Sequence, residues 1–517
     1  MSIQKLPNFI LPLLVYVFTL GFSTAQTKYE PNESSLNTHN TPEWFKDAKF
    51  GIYTHWGPIS NSLEGSDPKK FYRGWHGMFM YKDGVVVETK NGKPSNNFEH
   101  HVAKYGHPSK NGYVEVIEEF NPSKFDAEVW ADLFEASGAK FAGPVAMHHD
   151  NFAMWDSKAT RWNSMNYGGI DPSADLKRAI EARDIKFMAS FHHAFTWKYF
   201  APAHAHGGIK KKDYDLYTSP HSIDSDTPDQ RFYDEWWAKL KEYIDVYQPD
   251  LLWFDWWLEN LDEATRFKFL SYYYNKAEEW GKEVGVCYKE STYTEDMAIK
   301  DYERGRPNQP KDMTWLTDTS PGAWFYRAGA KFKKPNDIID ILIDIVAKNG
   351  IMLLNVPPNP DGTIPSEMDY LLREMGSWLA VNGEAIYGTR PWTVFGEGPT
   401  RLPEGGHKVE KIKIEYTAND VRYTKKSDKE FYALVMDTPK DKLVLKTLSA
   451  YLGVLNSEII DIQLLGSNET IFWKRTEEGL VIDIPESFPT DYAHAFKIKL
   501  KGYTENDIGG NVNAHVD

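Results

Sequence analysis

One cysteine, Cys287, is all that this chain of 517 residues has, so it cannot close a disulfide within itself and must draw its stability from packed cores. It has no cationic surplus either. Against 74 Asp and Glu stand 59 Lys and Arg, and the formal net charge of −15 argues against a general binder of nucleic acid or of anionic membrane surfaces. Neither an HExxH zinc helix nor a GxSxG nucleophile elbow occurs, and no internal repeat or low-complexity tract is present. The long apolar run is FILPLLVYVFTLGF near the N-terminus, preceded by Lys5 and followed by the small residues STA. It is shorter than the roughly 20 residues a spanning helix needs. We read residues 1–25 as a signal peptide cleaved after Ala25, which makes the protein exported, periplasmic or secreted, with no membrane attachment after cleavage.

What is abundant is aromatic: 15% of residues, including 18 Trp and 29 Tyr. Flat rings pack cores, and they also cover the apolar faces of sugars. After a polar leader at 26–40, apolar runs at 50–57, 141–149, 185–193, 251–257, 283–289 and 351–358 alternate with amphipathic stretches at 123–138, 173–183, 229–248, 262–281 and 336–350. Ser123 is the expected cap of the first of these helices. Apolar runs without strict alternation are the pattern of buried parallel strands. The expected fold is therefore α/β, a somewhat irregular (β/α)8-like barrel over 41–395, with its sixth and seventh strands unmarked.

The pattern changes after GTRPWTVFGEGPT (388–400). Ile412, Ile414 and Tyr416, then Phe496, Ile498 and Leu500, alternate strictly with charged residues. One wet and one buried face predict an antiparallel β-sandwich at 401–503, followed by a mobile tail at 504–517.

Polar chemistry collects at the C-terminal ends of the apolar runs: His55 on the first, His148 and His149 on the second, His192 and His193 on the third, Asp255 on the fourth. In a parallel barrel these ends share the face that carries the active site. A metal is the rival use of HHD (148–150), but neighbouring residues on a strand point to opposite faces, and we expect no metal and no organic cofactor. Imidazoles, indoles and a carboxylate around one pocket suit a sugar. Hydrolysing a glycosidic bond needs a second carboxyl group, for which Glu290, Glu295, Asp301 and Glu303 are candidates.

Five blocks, EWFKDAKFGIYTHWG, AMHHDNFAMWDSKATRWN, PDLLWFDWW, DYERGR and NGIMLLNVPPNPDG with NGEAIYGTRPW, resemble in order and spacing those of the α-L-fucosidases of glycoside hydrolase family 29. The resemblance runs through both expected domains. It implies a retaining exo-glycosidase with Asp255 as nucleophile and, by block alignment, Glu303 as acid/base. It also implies sugar contacts from His55, Trp56, Trp75, His148, His149, His192, Lys289, Trp324 and Tyr326. Met147, Asn151, Gly74 and Lys289 depart from the family's usual Lys, Gly, Glu and Arg, and these changes bear on linkage and substrate choice. The implied partner is a fucosylated oligosaccharide or polysaccharide. Lys69, Lys70 and the run Lys210 to Lys212 raise the question of sulfated glycans. Two other readings use the same residues: a glycan-binding protein without turnover, and a retaining glycosidase for a related sugar such as a galactoside.

Overall fold

The computed structural model describes residues 28–62, 74–81, 96–206, 209–327, 329–402, 414–502 and 515–516. The expected signal peptide, the pair Lys69 and Lys70 and most of the expected tail lie outside them. Eight strands form one parallel sheet: β1 (Phe50–Thr54), β2 (Phe141–Met147), β3 (Lys186–Phe191), β4 (Leu251–Phe254), β5 (Gly285–Tyr288), β6 (Ile299–Lys300), β7 (Trp315–Thr319) and β8 (Gly350–Asn355). Their order is β6-β5-β4-β3-β2-β1-β8-β7, and a parallel bridge from Asp301 to Leu316 joins the two ends into a nearly closed barrel.

The unmarked sixth and seventh strands are thus β6 and β7. The first is two residues long, too short to carry a pattern. In the second, WLTDT, three of five residues are polar, yet all five are buried.

Alternation along the strands divides two packing layers. Tyr53, Val145, Met188, Trp253, Cys287, Leu316 and Leu353 fill the barrel interior. The opposite parity, such as Ile52, Phe187, Leu252, Val286 and Met352, packs outward against the helices. Both faces are covered, which is why the strands read as continuous apolar runs. Cys287 lies in the inner layer, fully buried. At Gly143 a Cβ would stand 1.7 Å from the Met188 carbonyl oxygen, so β2 and β3 approach closely only because that position carries no side chain.

The covering helices start on aspartates. Asp126, Asp171, Asp229 and Asp262 each accept a backbone N–H of the first turn of α1 (Ala127–Ala136), α2 (Pro172–Glu181), α3 (Gln230–Tyr247) and α4 (Glu263–Trp280). The cap of α1 is therefore Asp126 and not Ser123. The outer ring continues with α5 (Pro335–Val346) and α6 (Ser366–Asn382).

Residues 28–40 are not a loose leader. Tyr29 and Leu36 are buried, Ser271 and Asn275 of α4 both donate to the Tyr29 carbonyl at 2.7 Å, and His39 stacks on Tyr274 at 3.6 Å. The segment belongs to the barrel domain because its few apolar side chains find a groove on α4.

The C-terminal domain has a six-stranded sheet and a three-stranded one. Its first strand is β9 (Arg390–Glu397), paired antiparallel with β10 (Val421–Ser427), so the barrel domain ends before 390 and not at 395. Residues 414–416, expected as part of a strand, are irregular, while the alternation at β11 (His494–Leu500) gives the expected buried and half-exposed positions. His515–Val516 of the expected tail pairs parallel with β9. No helix among the described residues is long and apolar enough to cross a membrane.

Candidate active site

The inward parity that fills the barrel runs on past the strand ends. Asp255 follows β4, Lys289 follows β5, His192 follows β3 and His55 follows β1, so their side chains continue the inner stack toward the mouth. Backbone bonds hold these positions: Asp255 N–H donates to the Phe191 carbonyl at 3.1 Å, and His192 N–H to the Met147 carbonyl at 2.8 Å.

Lys289 is the hub. Its ammonium donates to Asp255 Oδ1 at 2.9 Å, to Glu303 Oε2 at 2.6 Å and, at 3.4 Å, to Asp318 Oδ2. Because one nitrogen meets both acids, Asp255 Oδ1 and Glu303 Oε2 can be no farther apart than the two bonds laid end to end, 5.5 Å. Both carboxylates leave 11% of their side chains exposed, while Lys289 leaves 5%. The Trp256 indole N–H donates to Glu303 Oε2.

Asp255 also accepts from His192 Nδ1 at 2.9 Å, and His149 Nε2 lies 3.5 Å from the same oxygen. Burial alone would raise this carboxyl, but Lys289, His192 and His149 together outweigh it and hold Asp255 well below the usual carboxylate range. Burial would likewise lower Lys289; the acids around it, Asp255 foremost, instead hold it well above its ordinary value. Asp255 is therefore ionised by pairing, in spite of its aromatic surroundings.

Burial drives His55 and His148 far below the ordinary imidazole range and His149 down to about 4. Their tautomers follow from their partners. His55 Nδ1 meets Asn355 Oδ1 at 2.8 Å, and the Asn355 amide nitrogen is engaged with the Trp324 carbonyl, so Nδ1 carries the proton. His149 Nδ1 donates to the His192 carbonyl at 2.7 Å, and His192 Nδ1 to Asp255. His55 then presents an unprotonated Nε2, an acceptor for a hydroxyl proton, while His192 Nε2 meets the Ser190 hydroxyl at 3.4 Å and His149 Nε2 faces Asp255.

The other expected residues divide. Both His148 and His149 lie at the site, because β2 ends at Met147 and alternation no longer applies. Trp75 borders His149, with ring centroids 5.5 Å apart, and Trp324 borders His55 at 5.5 Å. Tyr326 lines a neighbouring cavity of about 230 Å³ with Arg327 and Phe332. Trp56 does not face the site: it packs among Phe120, Phe125 and Trp130 and donates to the Pro360 carbonyl at 3.3 Å. Its neighbour His55 points inward, and consecutive residues cannot both do so on an extended chain.

His193 is turned away as well, stacked on Trp236 at 5.4 Å. Asp150, third in HHD, is buried against the Tyr113 hydroxyl at 2.7 Å, and burial pushes it up to about 6. Asn151 takes the left-handed conformation, φ 62°, where the family usually has Gly, and accepts from Lys239 at 2.9 Å. Among the acid/base candidates, Glu290 and Glu295 are exposed and Asp301 is buried beneath Lys289, so Glu303 is the one that shares Lys289 with Asp255 at the mouth.

Phe325, Asn355, Tyr53 and Asp318 are at the site without having been singled out. Phe325 packs edge-on against His55 at 5.2 Å and His148 at 4.9 Å. Inward parity on β7 and β8 would have found Asp318 and Asn355 had β7 been recognised.

Among the described residues, two groups have the donor atoms for a metal ion: His55, His148 and His192, and His149, His192 and Asp255, each set within 4.8 Å. An imidazole whose Nδ1 is engaged, as in His55, His149 and His192, serves a transition metal and equally a polyol, whereas His148 Nδ1 meets no partner among the described residues. The Asp255 oxygens already have two strong donors, which favours the hydroxyl reading.

Residues 17–384 match the family model described as alpha-L-fucosidase, and residues 414–500 match that of the alpha-L-fucosidase C-terminal domain. The chain is 27% identical to the tissue alpha-L-fucosidase of Rattus norvegicus, over 95% of this chain and 97% of that one. It is 26% identical to the plasma alpha-L-fucosidase of Homo sapiens, over 93% and 95%. Among solved structures, the Thermotoga maritima alpha-fucosidase in complex with fucose is 26% identical, covers 91% of this chain and all of its own, and superposes with a TM-score of 0.67.

Proposed function

The chain belongs to the α-L-fucosidase family of glycoside hydrolases, and from that membership we propose that Asp255 and Glu303 carry out a retaining displacement at terminal α-L-fucosyl residues. The observation that carries this reading is the shared ammonium. It holds the nearest oxygens of the two acids no more than 5.5 Å apart, which agrees with the roughly 5–5.5 Å between the carboxyl groups of retaining pairs.

In the first step an Asp255 oxygen attacks the anomeric carbon, the glycosidic C–O bond breaks, and the Glu303 proton goes to the leaving oxygen. In the second, Glu303 takes a proton from water, the water oxygen bonds to the anomeric carbon, and the ester to Asp255 breaks. Fucose leaves with its original configuration. The unprotonated Nε2 of His55 accepts a sugar hydroxyl, and Trp75, Trp324 and Phe325 supply apolar walls for the ring face and methyl group.

The proposed partner is a fucosylated glycan met outside the cytoplasm, after cleavage at Ala25. The run Lys210 to Lys212 is exposed and available to a sulfated chain. The deciding experiment is NMR of an activated aryl fucoside during turnover. The first sugar signal is expected to be the α-anomer, with the β-anomer growing in by mutarotation. An initial β-anomer rejects the scheme, and saturable fucose binding without any turnover identifies a glycan-binding protein instead.

A further inference from the structure

One layer deeper than Lys289 lie two more carboxyl groups, Asp301 and Asp318, 3% and 1% exposed. With Asp255 and Glu303 they make four acids around one ammonium. If all were ionised, three unbalanced negative charges would be buried together, at a desolvation penalty that proteins rarely carry. The proposed chemistry leaves one proton on Glu303, and a second must sit elsewhere.

The hydrogen bonds say where. Asp301 is satisfied as an acceptor: Oδ1 takes the Asp318 N–H at 3.0 Å and Oδ2 takes the Trp253 indole N–H at 3.0 Å. Asp318 Oδ2 accepts from the Tyr53 hydroxyl at 2.8 Å and from Lys289 at 3.4 Å. Asp318 Oδ1 is buried and meets no donor. An ionised carboxylate oxygen so placed would be costly, whereas a protonated one becomes a donor with Asp301 beside it.

We propose that Asp318 is a carboxylic acid in the resting enzyme, donating its Oδ1 proton to Asp301, and that it acts as a positioning residue which holds Lys289 between Asp255 and Glu303. The role rests on the reading of those two acids given above; the proton on Asp318 does not. Kept neutral, Asp318 offers Lys289 an oxygen without competing for its charge, which stays with the two acids at the mouth. Burial first, then the Asp301 charge, push Asp318 well above the carboxylate range, and burial pushes Asp301 up to about 6; the two titrate as a pair. The groups facing them are Tyr53 from β1, Asp255 beyond β4, Lys289 beyond β5 and Glu303 beyond β6. From β8 the residue paired with Asp318 is the uncharged Leu353.

Two measurements test this. A neutron structure of the unaltered protein at about pH 7 is expected to show a deuteron on Asp318 Oδ1 directed at Asp301. A deuteron on Asp301 instead, or on neither, overturns the proposal, whatever becomes of the catalytic assignment. In kinetics, Asp318→Asn keeps a neutral side chain with a donor at Oδ1, and kcat is expected to stay within about threefold with an unchanged pH profile. Asp318→Ala is expected to lower kcat by about tenfold or more, with KM within about twofold. Equal losses in Asn and Ala overturn the proposal, as does a shift of the pH profile in Asn. Should a variant fail to fold, the neutron map of the wild type still decides.

Discussion

Lys289 lies 2.6 Å from Glu303 and 2.9 Å from Asp255, so one cation is shared almost evenly by the two acids that the proposed chemistry assigns to opposite tasks. An ammonium in this place keeps Asp255 ionised and limits the distance between the pair. A planar guanidinium, usual in the family, makes forked contacts and spreads its charge over more atoms. Lys289→Arg is therefore expected to change KM and kcat together while the protein stays folded. Lys289→Met leaves buried acids without a partner and should cost about 3–5 kcal/mol, read as a lower urea midpoint. An unchanged midpoint would show that the cluster is neutralised in some other way.

Asp255→Ala should lose about a thousandfold or more in turnover with its circular dichroism intact, and azide or formate should restore part of the activity. A fully active variant would remove Asp255 from the mechanism.

For Glu303→Ala, an aryl fucoside with a good leaving group should suffer less than a natural disaccharide, since protonation matters less as the leaving group improves. Glu290 gives the control. Its hydrogen bond with Glu259, then burial, push it up to about 7, the proton affinity of a general acid, yet it is exposed and outside the Lys289 cluster. Glu290→Ala should be nearly silent with both substrates. A Glu290 variant that behaves as expected for Glu303 would exchange their roles.

Acid should unfold this protein through its histidines. Burial holds His39, His101, His149 and His494 at about 4 in the folded chain, below the ordinary 6.5. Between those values the unfolded chain binds more protons, so stability falls as pH drops through the interval, by up to about 1.4 kcal/mol per pH unit for each histidine. His39→Gln, which keeps a polar group stacked on Tyr274 but cannot titrate, should flatten a plot of melting temperature against pH. Parallel curves for wild type and variant would contradict this.

The two domains are tied by charge. Asp344 on α5 accepts from Arg422 on β10 at 2.8 Å and from Lys348 at 2.9 Å, and lies 3.4 Å from Arg306, with all four residues buried. Asp344→Ala would leave three cations without their counter-charge and should cost about 3–5 kcal/mol. Asp344→Asn should fall between that variant and wild type. Thermal melts of all three would show it, and wild-type stability in the alanine variant would contradict it.

Local pattern in the sequence was enough for the barrel, for six of its strands and for the ring of polar residues at their ends. A parallel strand buried on both faces must be apolar along its length, and a functional residue must come where the strand stops. Family blocks add Asp255, Glu303 and the histidines as expectations. Pattern did not reach β6 and β7, where one strand is too short and the other too polar, and so it missed Asp318. Nor did it tell Trp56 from His55, since adjacency in the chain places two side chains on opposite sides of a wall.

What the sequence by itself determined is which residues stand at which strand ends, because hydrophobic periodicity is a property of neighbours along the chain. Only the tertiary structure decided which charges meet. Lys289, Glu303, Asp318 and Asp255 come from four different strand ends, and their protonation depends on distances and burial that exist only once the barrel has closed.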